Sequence, residues 1–313
     1  EEAFHRFCRL FRFSPELAVC DGHPDYLSTR FANSLDLPVI RVQHHHAHIA
    51  SCLAENRINE KVIGVAFDGT GYGDDGAIWG GEFFICDLNS YERMNHFEYL
   101  PLPGGDAAVK EPWRMAVSLL YKLYGTDIIS MDLPVLKICT PDELELLTAA
   151  IDKGVNAPLT SSVGRLFDGV AAIAGIATQD AYDAEGPMRL EAEIKRHHDY
   201  YPYNHGPTIS ILPAIDAILD DMRSGTELGI IAARFHNTIV DIVKTTVALL
   251  GKETGLKTVA LSGGVFQNRY ILEKCEEQLQ GSNFKVISQH HMPVNDGGIS
   301  LGQLASAAAR ARR

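Results

Sequence analysis

Four histidines stand within five positions of the 313-residue chain, His44, His45, His46 and His48 in "VQHHHAHIASC". Neutral imidazole binds metal ions and carries protons, so the spacing of the rings decides what they can do. The stretch reads as the opening of a helix that runs to about Asn56. On that helix His44 and His48 are four residues apart and share one face. Such a pair can hold one cation, given further ligands. His45 and His46 are rotated from His44 by about 100° and 200° and are accessory. The same spacing also fits a polar helix start, with rings exposed or capping. Two aspartates are candidates for the missing ligands. Asp68 closes the apolar run "VIGVAF" and opens "DGTG", and Asp296 sits in "NDGG" ahead of the last helix. A carboxylate at a strand end beside glycines projects into a cleft with little hindrance, although each alone is also an ordinary turn or cap residue. These ligand types do not choose among divalent iron, zinc and magnesium.

Glycine-rich turns supply a second chemistry. "DGTGYGDDG" places glycines at 69, 71, 73 and 76, with the Thr70 hydroxyl among them. Glycine lets backbone N–H groups approach an anion closely, and the same stretch also reads as a flexible hairpin turn. "LSGGVFQN" reads as strand, turn and helix start. There Gly263 and Gly264 permit close approach, the helix dipole favours an anion, and Asn268 is placed to bond a ribose or base. In "SSVGRLFDGVAAIAG", Asp168 either stabilises a helix dipole or binds ribose hydroxyls. In "KEPWRMA", Arg114 beside Trp113 is a candidate anion or stacking contact, or a helix-start packing motif with proline in the first turn. No Walker A loop, helix-opening GxGxxG or Gly-x-Ser-x-Gly elbow is present.

The elements that position these residues follow from hydrophobic period. Residues 2–12 predict an amphipathic helix, "ELAVCD" a strand, "HPDYLSTRFANSLDL" a helix and "PVIRVQ" a second strand. Strands near 62–67 and 77–86 flank the glycine turn as a hairpin, and "YERMNHFEYL" adds a third antiparallel strand. Residues 106–253 are expected to be mainly helical, interrupted around 198–208. "KTVALSGGVFQNRYILEKC" is strand, turn and helix, "FKVISQ" a strand, and "NDGGISLGQLASAAAR" a turn and final helix. This order predicts an α/β protein of two lobes around a cleft. Residues 1–58 with 292–313 form the first lobe, and residues 59–291 form the second.

Composition narrows the function. The net charge of −12 argues against an extended nucleic-acid surface. No apolar run is long enough to span a bilayer, and "EEAFHRFCRLFRF" is not a secretory signal. Six scattered cysteines without a CxxC pair fit reduced, mostly buried thiols in a cytoplasmic protein.

Together, "HPDYLSTR", "VQHHHAHIASC", "FDGTGYGDDGAIWGGE", "KEPWRMA", "SSVGRLFD" and "LSGGVFQN" closely resemble the C-terminal carbamoyltransferase domain of the HypF hydrogenase-maturation family. The likeness covers nearly the whole chain. It is shared with the tRNA threonylcarbamoyl transferase TsaD and with antibiotic O-carbamoyltransferases. The resemblance implies the two-lobed actin-like ATPase fold, here with its opening β-hairpin expected to be missing, as in a fragment or one piece of a split protein. It implies transfer of a carbamoyl group from carbamoyl-adenylate to the C-terminal cysteine of HypE, on the way to the cyanide ligand of a nickel–iron hydrogenase. An upstream YrdC-like domain, absent from this chain, would make the adenylate from ATP and carbamoyl phosphate. The implied metal ligands are His44, His48, Asp68 and Asp296. The implied nucleotide contacts are Gly69, Thr70 and Gly71 of the DGTG loop, Asp168, Gly186 of "EGP", Gly263, Gly264 and Asn268. The alternatives are an O-carbamoyltransferase for a small hydroxylated acceptor and a non-catalytic nucleotide- and metal-binding module.

Overall fold

The structure, a computed structural model, describes residues 1–311. The last two positions of the 292–313 segment lie outside the described residues. The chain opens with α1 (Glu2–Phe11), β1 (Ala18–Asp21), α2 (Leu27–Ser34), β2 (Val39–Val42) and α3 (His44–Glu55). A meander follows, β3 (Val62–Tyr72), β4 (Ile78–Cys86) and β5 (Tyr91–His96). Next come β6 (Leu100–Pro101), α4 (Asp106–Lys110), α5 (Pro112–Tyr124), α6 (Pro141–Lys153), β7 (Leu159–Thr160), α7 (Val163–Ile173) and α8 (Glu185–Ala192). A small hairpin, β8 (Asn204–His205) and β9 (Ile209–Ser210), precedes α9 (Leu212–Arg223) and α10 (Leu228–Thr254). The chain closes with β10 (Thr258–Ser262), α11 (Arg269–Gly281), β11 (Lys285–Ile287) and α12 (Ile299–Ala311). The stretch expected to be mainly helical thus also carries short strands, the two-residue β7, β8 and β9. Strands that short leave no period in the sequence.

One seven-stranded sheet organises the molecule in the order β11-β10-β3-β4-β7-β6, with β5 also paired to β4. The meander is antiparallel, whereas β10 runs parallel to both β3 and β11. Side chains alternate across this sheet with period two. Ile63, Val65 and Phe67 point into the large core built with α5, α7 and α10. Val62 and Ala66 point the other way, against Ile49, Cys52 and Leu53 of α3. Burying Ile49 and Leu53 contributes about 1.5–3 kcal/mol each. Gly64 shares that second face because a Cβ there would come within 3.1 Å of Ile49. The same parity carries Asp68 to the α3 side, where the histidines are.

The sequence predicts that β3 stops at Phe67, but the strand continues to Tyr72 through a bulge. Phe67 pairs with Gly81 and Gly71 with Trp79, so Asp68, Gly69 and Thr70 together oppose Gly80. The extra residues break the ladder and turn their groups outward. Ser162 fixes the bulge, its Oγ lying 2.7 Å from the carbonyl oxygens of both Asp68 and Gly69.

Helix α12 packs along α3 at Gly302, where any Cβ would overlap the Ala47 carbonyl. Gly302→Val is expected to destabilise the protein by about 1–3 kcal/mol through overpacking, read as a lower urea midpoint at unchanged slope. Helix α1 has the expected amphipathic span but no buried residue. Phe4 meets Phe31 edge-on at 5.5 Å, while Phe7, Leu10 and Phe11 remain exposed. Among the described residues, no helix is long and apolar enough to cross a membrane.

Candidate functional site

Helix α3 starts where Gln43 caps it. The Gln43 Oε1 accepts from the His46 backbone N–H at 2.8 Å, and its Nε2 donates to the Tyr72 carbonyl at 3.1 Å. This anchors the first helical turn to the end of β3. All four rings are buried. His44 Nε2 lies 3.3 Å from Asp68 Oδ2 and 3.5 Å from Asp296 Oδ1. His48 Nε2 lies 3.4 Å from each of the same two oxygens. The four ligand atoms fall within 4.8 Å of one another. Bonds of about 2.1 Å to one small cation would set neighbouring ligands about 3 to 3.4 Å apart, close to these separations. Among the described residues His48 Nε2 is buried without a hydrogen-bond partner, an orphan that a cation would satisfy. The set therefore fits a divalent ion. Three of its members are buried, while the Asp296 side chain is 67% exposed and forms the open side.

Asp21, at the end of β1, was not singled out in the sequence. Its Oδ2 is 2.8 Å from His44 Nδ1, which directs Nε2 of that ring toward Asp68 and Asp296. A carboxylate behind an imidazole ligand fixes tautomer and orientation. The electrostatics agree. Burial favours neutral His44, but Asp21, Asp296 and Asp68 outweigh it and raise its pKa well above the ordinary value. For His48, burial is likewise overcome, by Asp68 and Asp296. Burial would raise the Asp68 carboxyl, yet His48 and His44 hold it well below the usual carboxylate range. Against its own burial, Asp296 is drawn down to about 2 by His44 and His48. The cluster thus creates a field that favours positive charge at its centre.

The other two rings serve the scaffold. His46 Nε2 lies 2.7 Å from the Asp87 carbonyl oxygen, and burial lowers its pKa to about 4. His45 is held well below its ordinary value, first by burial and then by His44. Its ring and that of His44 press on Gly71, where a Cβ would overlap both.

A cleft of about 700 Å³ opens beside the cluster. Gly69, Thr70, Gly264 and Asn268 line it together with Asp68 and Asp296. One carboxylate joins the two parts, because Asp68 Oδ1 accepts from Gly264 N–H at 2.8 Å while Oδ2 faces the rings. Asn268 is largely committed. Its Oδ1 caps α11 by accepting from Ile271 N–H at 3.0 Å, and its Nδ2 lies 2.9 Å from His236 Nε2. His236 Nδ1 bonds the Ala232 carbonyl at 2.8 Å, and burial lowers its pKa to about 4, so it is neutral and accepts from Asn268. The second Nδ2 hydrogen of Asn268 has no partner among the described residues.

The remaining sequence candidates do not line the cleft. Gly263 (φ +105°) turns the chain tightly over the Phe67 backbone. Gly186 packs on Ala171. Arg114 pairs with Glu111 and sits over Trp113. Asp168 is buried behind Arg165, with 2.6 Å between Oδ2 and Nη1. The cleft also contains Arg165, Asp183, Glu191 and Gln267, which no motif in the sequence marks. Burial pushes the Asp168 carboxyl up to about 7 despite Arg165. A folded pKa above the unfolded value of about 3.9 means that folding favours the proton. Stability from this group is full below pH 4 and lost as pH rises to 7. Asp168→Asn should therefore gain stability relative to the parent across that window, which urea titrations at pH 4.5 and 8 would measure.

The strand order and the cleft define a mixed α/β fold built on one central sheet. Two family models account for most of the sequence, the HypF Kae1-like domain over residues 1–55 and the second subdomain of the carbamoyltransferase Kae1-like domain over residues 64–303. The chain belongs to the HypF carbamoyltransferase family. It is 36% identical to carbamoyltransferase HypF of Synechocystis sp. over 97% of its length, and 36% identical to that of Rhizobium leguminosarum over 98%. It spans 42% and 40% of those proteins. A crystal structure of full-length HypF in its phosphate- and nucleotide-bound form superposes with a TM-score of 0.94 at 42% identity, covering 98% of this chain and 49% of that one. HypF of T. kodakarensis superposes with a TM-score of 0.87 at 30% identity, covering 99% of this chain and 42% of that one.

Proposed function

We propose that this chain is the carbamoyl-transfer unit of a HypF-type protein. It binds carbamoyl-adenylate in the glycine-lined cleft and passes the carbamoyl group to the C-terminal cysteine thiolate of HypE. The observation that carries this reading is that Asp68 serves both halves of the site, with one oxygen on the imidazole cluster and the other on the Gly264 N–H. The full-length HypF that superposes at 0.94 holds phosphate and nucleotide in its crystal structure, which supports an adenylate as the occupant. The chain spans about two fifths of these curated relatives, and in this reading a YrdC-like domain makes the adenylate from ATP. Residues 1–58 and 292–313 would form one lobe and 59–291 the other, in a cytoplasmic protein with reduced thiols.

The mechanism relies on placement. The thiolate sulfur attacks the carbamoyl carbon. The carbon–oxygen bond to the phosphate breaks and its electron pair leaves on AMP, the thiol proton having gone to water beforehand. A thiolate is accessible near neutral pH, so no general base is required. His44, His48, Asp68 and Asp296 would hold a divalent ion that supplies Lewis-acid neutralisation of phosphate charge when bound. The N–H groups of the bulge orient the phosphate, Gly264 holds Asp68 in place through its own N–H, and Asn268 offers its second amide N–H to the nucleoside. The test is to mix the chain with preformed carbamoyl-adenylate and HypE, then weigh the HypE C-terminal peptide. One carbamoyl group added at the cysteine is expected. Transfer instead to a small polyol, or binding without turnover, would overturn the assignment.

A further inference from the structure

We propose that Arg165 is the anion-contacting residue of the transfer site, binding the phosphoryl oxygens of the adenylate and the charge that develops on departing AMP. The proposal rests on the carbamoyl-adenylate reading and adds a residue to it. Arg165 stands in the first turn of α7 with its side chain only 7% exposed, yet it lines the cleft. Among the described residues that line the cleft, it is the only lysine or arginine, facing Asp68, Asp183, Glu191 and Asp296. A dianionic leaving group entering so acidic a space needs a fixed counter-charge.

The guanidinium is available for that role. Among the described residues, Nε has no acceptor and Nη1 has none in good hydrogen-bond geometry, although Nη1 is ion-paired with Asp168. Asp168 Oδ2 is 2.6 Å from Nη1, but both Asp168 oxygens also lack a hydrogen bond, so proximity here is not a fork-to-fork pair. A purely structural arginine buried this deeply would be expected to use those donors. The third nitrogen, Nη2, reaches the bulge, where a Cβ on Gly69 would stand 3.3 Å from it. The backbone holds the helix start there as well, because Ser162 Oγ accepts from Arg165 N–H at 3.1 Å while it bonds the bulge carbonyls. The cation is thus tied to the same loop that carries Asp68. In the transfer, the new bond is sulfur to carbamoyl carbon and the broken bond is that carbon to the phosphate oxygen. The electron pair stays on AMP, beside the guanidinium.

The experiment compares the parent chain with Arg165→Gln, Arg165→Lys and the double variant Arg165→Gln/Asp168→Asn, which leaves no unpaired buried carboxylate if the single variant folds poorly. Calorimetry with AMP and with adenosine reads phosphate recognition. Single-turnover transfer from preformed carbamoyl-adenylate reads the chemistry. The parent should bind AMP at least about 10-fold more tightly than adenosine. Arg165→Gln and the double variant should lose that preference while keeping adenosine affinity and metal content, and transfer should fall about 10²- to 10³-fold. Arg165→Lys should recover part of it, as a point charge without the planar fork. An unchanged AMP-to-adenosine ratio in the glutamine variants overturns the proposal. Loss of metal along with activity also overturns it, by making Arg165 a support of the ligand cluster. If the parent binds neither ligand, the nucleotide reading itself fails and takes this proposal with it.

Discussion

His48→Ala should lower affinity for a divalent cation by more than about 100-fold, since losing even a supporting partner of a ligand costs about 10–100-fold. The ring contributes a buried imidazole nitrogen that faces both carboxylates and has no hydrogen-bond partner. Its Nε2 is equally distant from the two carboxylates, at 3.4 Å, so its removal opens one whole side of the polyhedron. Asp21→Asn probes the support behind His44. Its Oδ2 reaches His44 through Nδ1 alone, and loss of that charge should weaken affinity by about 10–100-fold without changing stoichiometry. Competition titrations of zinc and iron(II) against a chelator would measure both. Carbamoyl transfer should follow metal occupancy in both variants. Equal affinities for parent and His48→Ala, with the fold intact by circular dichroism, would exclude this cluster as the binding site.

What could be read in advance follows the range of the forces involved. The His44 and His48 pair was legible because helical geometry is local and the i,i+4 relation holds wherever the helix lies. Asp68 was legible as a residue at a glycine turn, and strand parity carries it to the α3 face. The bulge was not legible. Phe67 to Gly71 spans two residues more than its partner strand, which only pairing reveals. The role of Asp21 was hidden for a similar reason. It depends on a parallel pair, β1 with β2, that sets Asp21 opposite Val42, two residues ahead of His44.

The helical positions were harder. Asp168 stands out in "SSVGRLFD", but the helix buries it and turns Arg165 to the cleft instead. A sequence window shows which residues share a face but not which face meets a cavity. Arg114 illustrates the same limit, since Glu111 one turn earlier takes its charge. Asn268 lines the cleft as the N-cap of α11, yet its dependence on His236 joins residues 32 apart and needs the packing of α10 against α11. Buried charge is the least legible of all. Nothing in "WGGEFF" marks Glu82 as a wholly buried carboxylate.

That carboxylate carries the second large expected effect, a loss of about 3–5 kcal/mol in Glu82→Leu. Glu82 Oε1 accepts from the N–H groups of Gly80 and Gly81, both at 3.2 Å, and from Ser161 Oγ at 2.5 Å. Oε2 lies 2.5 Å from Arg93 Nε. Arg93 stacks 4.0 Å above the Trp79 ring and donates to Tyr99 at 2.9 Å, so it cannot swing out to water without breaking these contacts. Leucine would fill the volume but leave three donors without their acceptor and the Arg93 guanidinium with only Asp75, at 3.4 Å, as a counter-charge, and unsatisfied groups cost more than the bonds contribute. Glu82→Gln should cost less, because one amide oxygen can still serve the glycine N–H groups while the charge opposite Arg93 is lost. The effect should also reach the cluster of His44, His48, Asp68 and Asp296. Gly80 is the residue that faces the bulge of Asp68, Gly69 and Thr70, and Ser161 adjoins the serine that pins the bulge carbonyls. Urea unfolding should place Glu82→Leu well below Glu82→Gln, with both below the parent, and cation affinity should fall in the same order. A leucine variant within about 1 kcal/mol of the parent would mean that Arg93 and the glycine turn find other partners, and that the bulge holds its shape without this carboxylate.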